Sequence, residues 1–206
     1  MNNSSALLVI DVQNDFCPGG ALAVALGDTI VPLINRLAQN FETVVLTQDW
    51  HPANHISFAA EHPGKTPFEQ ITLPYGAQTL WPTHCVMATF GAELHPELDI
   101  PHASLILRKG SHRGVDSYSA FLEADRTTKT GLNGYLAARG ITDLYLCGLA
   151  TDFCVAWSAE DAISFGFKAT LIEDACRAID LNGSLAAAHD RLVQAGVTRS
   201  SSADLG

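Results

Sequence analysis

The chain has 206 residues, which fits one folded domain, because single hydrophobic cores stop growing near about 250 to 300 residues. Hydrophobic residues make up 47% of the sequence and charged residues 17%, a composition that excludes a disordered chain. The formal net charge of −10 repels phosphate backbones, and no Lys/Arg run creates a basic patch, so we expect no nucleic-acid partner.

The N-terminal segment predicts neither export nor membrane insertion. Residues 1–5 carry no charge, and the apolar run at residues 6–10 is too short for a signal-peptide core or a membrane span. The five cysteines form an odd set without a C-x-x-C pair, which fits neither a disulfide framework nor a zinc finger. We therefore expect a cytoplasmic protein without a membrane partner.

Buried strand patterns and helical patterns alternate along the chain. In chain order they predict strand 6–12, helix 28–40, strand 43–47, strand 104–108, helix 132–139, strand 143–148, helix 152–165, strand 169–172 and helix 184–194. The strands are rich in Val, Ile and Leu, as strands buried on both faces are. The alternation predicts an α/β fold with a mainly parallel sheet covered by helices, whose ligands bind beyond the carboxyl ends of the strands.

The stretch at residues 49–102 breaks this pattern. It contains seven prolines and no long periodic segment, and it is too long for a passive connection. Its Trp, Phe and His content favours an ordered lid or binding insert. We therefore expect a single domain over residues 1–206 with a functional insert at about 49–102.

Three polar residues lie where predicted strands end. Asp11 and Lys109 each end or follow a strand, and Cys154 follows a turn that leads into a helix. A helix N-terminus and a nearby Lys⁺ both favour the thiolate, which is the reactive form of cysteine. Each residue also has an ordinary interpretation: a buried small apolar side chain for Cys154, a turn cap for Asp11 and a solvated side chain for Lys109.

A second group has the residue types of a metal site. In Asp49-Trp50-His51 a strand places the Asp and His side chains on one face, and His84 adds a third ligand from the insert. Two imidazoles and a carboxylate suit Zn²⁺, with Fe²⁺ and Mn²⁺ as alternatives. The alternative is that both histidines are surface or capping residues. We expect His55 and Ser57 to orient the ligands.

Five segments together resemble the nicotinamidase branch of the isochorismatase-like cysteine hydrolases, over essentially the whole chain. They are LVIDVQNDF at 8–16, TQDWHP at 47–52, LWPTHCV at 80–86, KG at 109–110 and GLATDFCV at 148–155. The resemblance implies a three-layer sandwich with about six mainly parallel strands. It also implies hydrolysis of nicotinamide to nicotinate and ammonia through a cysteine thioester.

The resemblance further implies the role of each site residue. Asp11, Lys109 and Cys154 would form the catalytic triad, and Asp49, His51 and His84 would hold one divalent metal ion. The peptide bond between Leu149 and Ala150 would be cis, and the amides of Ala150 and Cys154 would form the oxyanion hole. The walls of a pocket for a small aromatic amide would be formed by Phe16, Trp81, Tyr118 and Phe153.

Two alternatives remain open from the sequence. One is a related amidase or carbamoyl hydrolase of the same superfamily, which we would not expect to need the metal set. The other, from a different class, is a non-catalytic binding subunit built on the same fold. The oligomeric state is not predicted.

Overall fold

The structure, a computed structural model, describes residues 3–205 and contains one six-stranded parallel sheet. Its strands are β1 (Ser5–Ile10), β2 (Thr43–Asp49), β5 (Leu105–Lys109), β6 (Asp143–Leu149), β7 (Lys168–Arg177) and β8 (Thr198–Ser200). Their spatial order is β5-β2-β1-β6-β7-β8. The central strand β1 is buried at all six residues, as its unbroken apolar sequence predicts. The predicted α/β fold with a parallel sheet of about six strands is confirmed.

Four α-helices flank the sheet: α1 (Val31–Ala38), α2 (Leu132–Ala138), α3 (Ala156–Ser164) and α4 (Ser184–Ala195). The chain leaves β1 toward β2 but leaves β6 in the opposite direction toward β7 and β8. Right-handed crossovers in opposite directions place α1 on one face and α3 with α4 on the other, which gives the three layers. None of the helices within residues 3–205 is long and apolar enough to cross a membrane.

Several elements differ from the sequence prediction. Strand β5 is an edge strand, and its first four residues alternate between half-buried and exposed instead of being buried on both faces, while Lys109 at its end is buried. Strand β8 has the polar sequence Thr-Arg-Ser, so no apolar run predicts it. Strand β7 continues beyond the predicted 169–172: the register shifts around Glu173 and Asp174, and pairing with β6 resumes at Cys176 and Arg177.

The insert contains a small hairpin that the proline-rich sequence did not predict. Strands β3 (Gln70–Leu73) and β4 (Gly76–Thr79) pair antiparallel outside the main sheet. The rest of the insert is irregular, but backbone hydrogen bonds hold it in place. For example, Trp81 N donates to Ser57 O at 2.8 Å, and His51 N donates to Cys85 O at 3.0 Å. The insert is therefore an ordered part of the fold.

The sheet register aligns the strand ends that matter for function. Asp49 and Lys109 are paired residues at the carboxyl ends of neighbouring strands β2 and β5, and Ile10 pairs with Gly148 across β1 and β6. Gly148 has φ +117°, and a Cβ there would lie 2.1 Å from Ile10 O. Only glycine allows β6 to approach the end of β1 so closely.

Candidate active site

The three predicted catalytic residues meet at the carboxyl edge of the sheet. Lys109 Nζ lies 2.8 Å from Asp11 Oδ2 and 3.6 Å from Cys154 Sγ. All three side chains are buried, with Asp11 at 0% and Lys109 at 2% exposure. Cys154 lies in a π-helical turn (Thr151–Val155) that leads directly into α3, not in the α-helix that the sequence predicted. Such turns often occur at functional sites.

The carboxylate of Asp11 has one fixed oxygen and one available oxygen. Thr47 Oγ1 donates to Asp11 Oδ1 at 2.6 Å and accepts from Asp11 N at 3.1 Å. Apart from the ion pair with Lys109, Oδ2 accepts no hydrogen bond within residues 3–205. An Asp11 oxygen and the sulfur of Cys154 lie within 4.8 Å of each other. The available oxygen can therefore take a proton from the thiol.

Burial decides the protonation of this group. Burial raises the pKa of Cys154 well above its ordinary value, and the carboxylates of Asp11 and Asp49 add to that rise, while Lys109 opposes it. Burial also raises the pKa of Asp11, against the opposing charge of Lys109. Lys109 favours the thiolate, as expected, but desolvation of the buried sulfur is the larger effect. The thiol needs a base, and Asp11 is the adjacent one.

The backbone around Cys154 is held from both sides. The bond between Leu149 and Ala150 is cis, as the resemblance implied. Ala150 O accepts from Phe153 N and Val155 N at 3.1 Å each, which closes the turn. Ser158 Oγ donates to Cys154 O at 2.6 Å. These bonds fix the nucleophile against the first turn of α3.

The predicted metal ligands also come together. Asp49, His51 and His84 are buried, and their ligand atoms lie within 4.8 Å of one another. The Nδ1 atoms of His51 and His84 lie 2.9 Å from Gly110 O and 2.8 Å from Pro82 O. A carbonyl oxygen only accepts, so each Nδ1 carries a proton, and Nε2 is the nitrogen through which each ring could bind a metal.

The donor set fits a divalent cation. Both Nε2 atoms face Asp49 Oδ2, at 3.6 Å for His51 and 3.8 Å for His84. Two imidazole nitrogens and a carboxylate oxygen that face one another are ligands that Zn²⁺ accepts. His55 is different: Nε2 donates to Val115 O at 3.1 Å, and Nδ1 lies 2.7 Å from Ser57 Oγ. Both of its nitrogens are used, and its ring stacks on His51 at 4.2 Å.

Sequence reasoning missed Gln13, which holds the backbone of Asp49. Gln13 Nε2 donates to Asp49 O and to Ala92 O, both at 2.8 Å, and Asp49 N donates to Gln13 Oε1 at 2.8 Å. This buried amide joins the end of β1 to the end of β2 and to the insert. The signal was a lone glutamine two residues beyond Asp11, which nothing in the sequence distinguishes from a turn residue.

The four predicted wall residues line one cavity that opens to solvent. Trp81 and Phe153 meet edge to face at 4.9 Å, and Tyr118 lies 5.8 Å from Phe153. The cavity also contains three residues that the sequence analysis did not single out: Leu22, Asp116 and Ile179. The catalytic candidates Cys154 and Ala150 also line the cavity, and so do the metal-ligand candidates Asp49 and His84. Flat apolar walls with few polar groups suit an aromatic ring.

The remaining cysteines are buried and inert in character. Burial raises the pKa of Cys17 to about 11 and that of Cys176 to about 12, and it raises those of Cys85 and Cys147 well above the ordinary value. All five cysteines are free thiols. Only Cys154 among them has a lysine ammonium beside the sulfur, so it is the sole candidate nucleophile of this group.

The fold and the site define a parallel α/β protein with a buried cysteine beside an acid, a lysine and a three-ligand metal set. Residues 5–204 match the Isochorismatase domain. The chain belongs to the isochorismatase family. It is 60% identical over 203 residues to the nicotinamidase of Acinetobacter baylyi, covering 98% of this chain and 95% of that one. The structure of a nicotinamidase and pyrazinamidase from Acinetobacter baumanii covers 100% of both chains, at 63% identity and TM-score 0.99.

Two further solved structures contain ligands. The yeast nicotinamidase, bound to the inhibitor nicotinaldehyde, is 31% identical, with a TM-score of 0.89 and coverage of 96% of this chain and 99% of that one. The pyrazinamidase of Pyrococcus horikoshii, in complex with zinc, is 33% identical, with a TM-score of 0.78 and coverage of 96% and 99%.

Proposed function

We propose that this chain is a nicotinamidase, an amidohydrolase that converts nicotinamide to nicotinate and ammonia through a thioester of Cys154. The observation that carries the proposal is the approach of Cys154 Sγ, Lys109 Nζ and Asp11 Oδ2 beside an aromatic-walled cavity. The nicotinamidases among its relatives support the substrate.

In the first half of the reaction, Asp11 Oδ2 takes the thiol proton of Cys154, and the sulfur attacks the amide carbon. Lys109 stabilises the negative charge shared by these groups and keeps them in contact. The backbone amides of Ala150 and Cys154 would stabilise the oxyanion of the tetrahedral intermediate. When the intermediate collapses, protonated Asp11 gives its proton to the leaving ammonia.

In the second half, Asp11 is again a base and accepts a proton from the water that attacks the thioester carbon. As the C–S bond breaks, Asp11 returns this proton to the sulfur, and the product acid loses its proton to solvent as nicotinate. Two steps of moderate difficulty replace direct attack by water on an unreactive amide.

The proposed metal is one Zn²⁺ ion, with Fe²⁺ and Mn²⁺ as alternatives, held by Asp49, His51 and His84. When bound, it would supply an electrophilic centre that positions the pyridine nitrogen. The ligand residues and their fixed tautomers support this proposal. Five free cysteines fit a reducing cytoplasm, where we place the enzyme, and the partner we propose is the small-molecule amide alone.

The test is ammonia release from nicotinamide by the purified protein and by its Cys154→Ala variant. Wild type should produce nicotinate and ammonia in equal amounts, whereas Cys154→Ala should be inactive with an unchanged circular dichroism spectrum, because one atom is removed from a packed site. Cys17→Ala, another buried thiol, should keep substantial activity and serves as the matched control. A Cys154→Ala variant with a tenth of wild-type turnover would exclude the covalent mechanism.

A further inference from the structure

The segment between β7 and α4, residues 178–183, forms part of the cavity lining. Strand β7 ends at Arg177, which is also the last residue that pairs with β6. Two residues later, Ile179 lines the cavity. Asp180 and Asn182 have φ +53° and +52°, in the left-handed region that residues other than glycine rarely adopt. Pairing in the sheet ends before this wall segment, so contacts outside the sheet position it.

The carboxylate of Asp152 supplies these contacts. Ile179 N donates to Asp152 Oδ1 at 3.1 Å, and Asp180 N donates to Asp152 Oδ2 at 2.8 Å. The hydroxyl of Ser184 also contacts Oδ2. Asp152 is 2% exposed, so these bonds lie inside the fold. Each carboxylate oxygen therefore holds one backbone N–H group of the wall segment.

The surroundings of Asp152 favour its negative charge. Ser184 is the first residue of α4, a helix of 12 residues, and a helix N-terminus stabilises a nearby carboxylate. Hydrogen bonds from N–H groups to an ionised carboxylate are also stronger than those between neutral groups. Asp152 lies in the same π-helical turn as Cys154. One short stretch of backbone therefore carries both the candidate nucleophile and the carboxylate that holds the wall segment.

We infer that Asp152 is a positioning residue, which holds the wall segment against the nucleophile turn and so fixes Ile179 relative to the sulfur of Cys154. Its effect on the substrate is indirect, because it passes through the wall segment. The inference rests on the proposed function, since it concerns how tightly the cavity binds nicotinamide.

The first test is Asp152→Asn, which keeps the shape of the side chain. A carboxamide has one acceptor end and one donor end, so one of the two backbone N–H groups loses its acceptor. We expect KM for nicotinamide to rise about 10-fold while kcat changes less than about 3-fold, because the contacts among Asp11, Lys109 and Cys154 are kept. In the inactive Cys154→Ala background, calorimetry should show nicotinate binding weakened by a similar factor.

A double-mutant cycle shows whether Asp152 acts through Ile179. Ile179→Ala removes the side chain that the wall segment places in the cavity. In this background Asp152→Asn should weaken nicotinate binding by no more than about 2-fold, because the two changes affect the same contact. An equal effect of Asp152→Asn in both backgrounds would overturn the inference.

Two control variants separate positioning from general loss of stability. Asp161→Asn removes another buried carboxylate, which is 1% exposed and pairs with Arg126, and it should lower stability without changing KM. Ser184→Ala leaves both backbone bonds to Asp152 in place, and KM should change by less than about 2-fold. A rise in KM for Asp161→Asn as large as that for Asp152→Asn would show that destabilisation alone explains the effect.

A measurement on the wild type does not depend on the folding of any variant. The backbone amides of Ile179 and Asp180 should exchange slowly with deuterium, because both donate to a buried carboxylate. Exchange as fast as in an unfolded chain, or an unchanged KM in folded Asp152→Asn, would overturn the inference. Failure of the proposed function is distinct, because wild type itself would then not hydrolyse nicotinamide.

Discussion

At the scale of single residues, Asp49 connects the two halves of the site. Its Oδ1 is in contact with the Lys109 ammonium, and its Oδ2 faces the imidazoles of His51 and His84. Lys109 in turn contacts Asp11 and donates to Ser117 O at 2.9 Å. One buried ammonium therefore contacts two buried carboxylates, and its loss would leave both without this cation.

We expect Lys109→Met to abolish turnover and to lower the free energy of unfolding by about 3 to 5 kcal/mol, the usual effect of breaking a buried ion pair. Lys65→Met is the matched control, because Lys65 pairs with Glu69 at 2.9 Å on the surface and should change neither quantity much. Denaturant unfolding followed by circular dichroism, with an ammonia assay beside it, measures both effects.

The double variant Asp11→Asn/Lys109→Met tests the electrostatic explanation. Removing one carboxylate together with the ammonium should restore part of the stability that Lys109→Met loses, without restoring activity. A double variant that is as unstable as the sum of the two single variants would show that packing, and not charge, determines the effect.

At the scale of elements, the strand ends and the turns that follow them place the ligands. Gly110 follows β5 directly, and its carbonyl accepts from His51 Nδ1. It has φ +70°, and a Cβ at this position would lie 2.4 Å from Cε1 of His51. The turn after β5 therefore requires glycine twice: for its backbone conformation and for the space that the imidazole occupies.

Gly110→Ala should reduce metal binding, because the new methyl group displaces the His51 ring from its fixed position. Gly140→Ala provides the comparison, since Gly140 has φ +69° but nothing within 4 Å of a built Cβ. Both variants share the left-handed backbone penalty of about 1 to 2 kcal/mol. Only Gly110→Ala should also lose metal stoichiometry, measured by elemental analysis after dialysis. Equal metal content in the two variants would contradict this assignment.

At the scale of the whole molecule, the metal set joins the sheet to the insert. Asp49 ends a central strand of the sheet, whereas His84 lies in the irregular part of the insert after Trp81. A metal held by both would bind the folded chain only, and so would stabilise it by mass action. As a consequence, a bound metal should also hold the insert in contact with the sheet.

Chelation should therefore lower the melting temperature. With free metal at about 100 times its Kd, the stabilisation is about 2.7 kcal/mol, which corresponds to about 5 to 10 °C for a chain of this length. His84→Ala should melt near the chelated value and respond little to chelator, while His189→Ala, which alters a half-buried residue of α4 outside the cluster, should respond as wild type does. A melting temperature that stays constant while the metal is verifiably removed would exclude this site as a structural link.

Local sequence patterns predict much of this architecture. Strands β1, β2 and β6 each contain a run of apolar residues, so these strands follow from the sequence. Asp11, Asp49 and Lys109 stand at strand ends that a parallel sheet brings to one edge. Strand β8 and the β3–β4 hairpin could not be predicted in the same way, because their residues are mostly polar, exposed or only half-buried and form no apolar run.

The sequence by itself determined the fold class, the order of the helices and apolar strands, and the candidate residues of the site, because these depend on short-range periodicity and spacing; the resemblance to a known family added their roles. Tertiary structure decided what depends on distant neighbours. Gln13 and Asp49 are 36 positions apart, and Lys109 and Asp49 are 60 apart. Burial among such neighbours raises the pKa of the Cys154 thiol. The desolvation of a side chain and its hydrogen-bond partners are set only when the chain has folded around it.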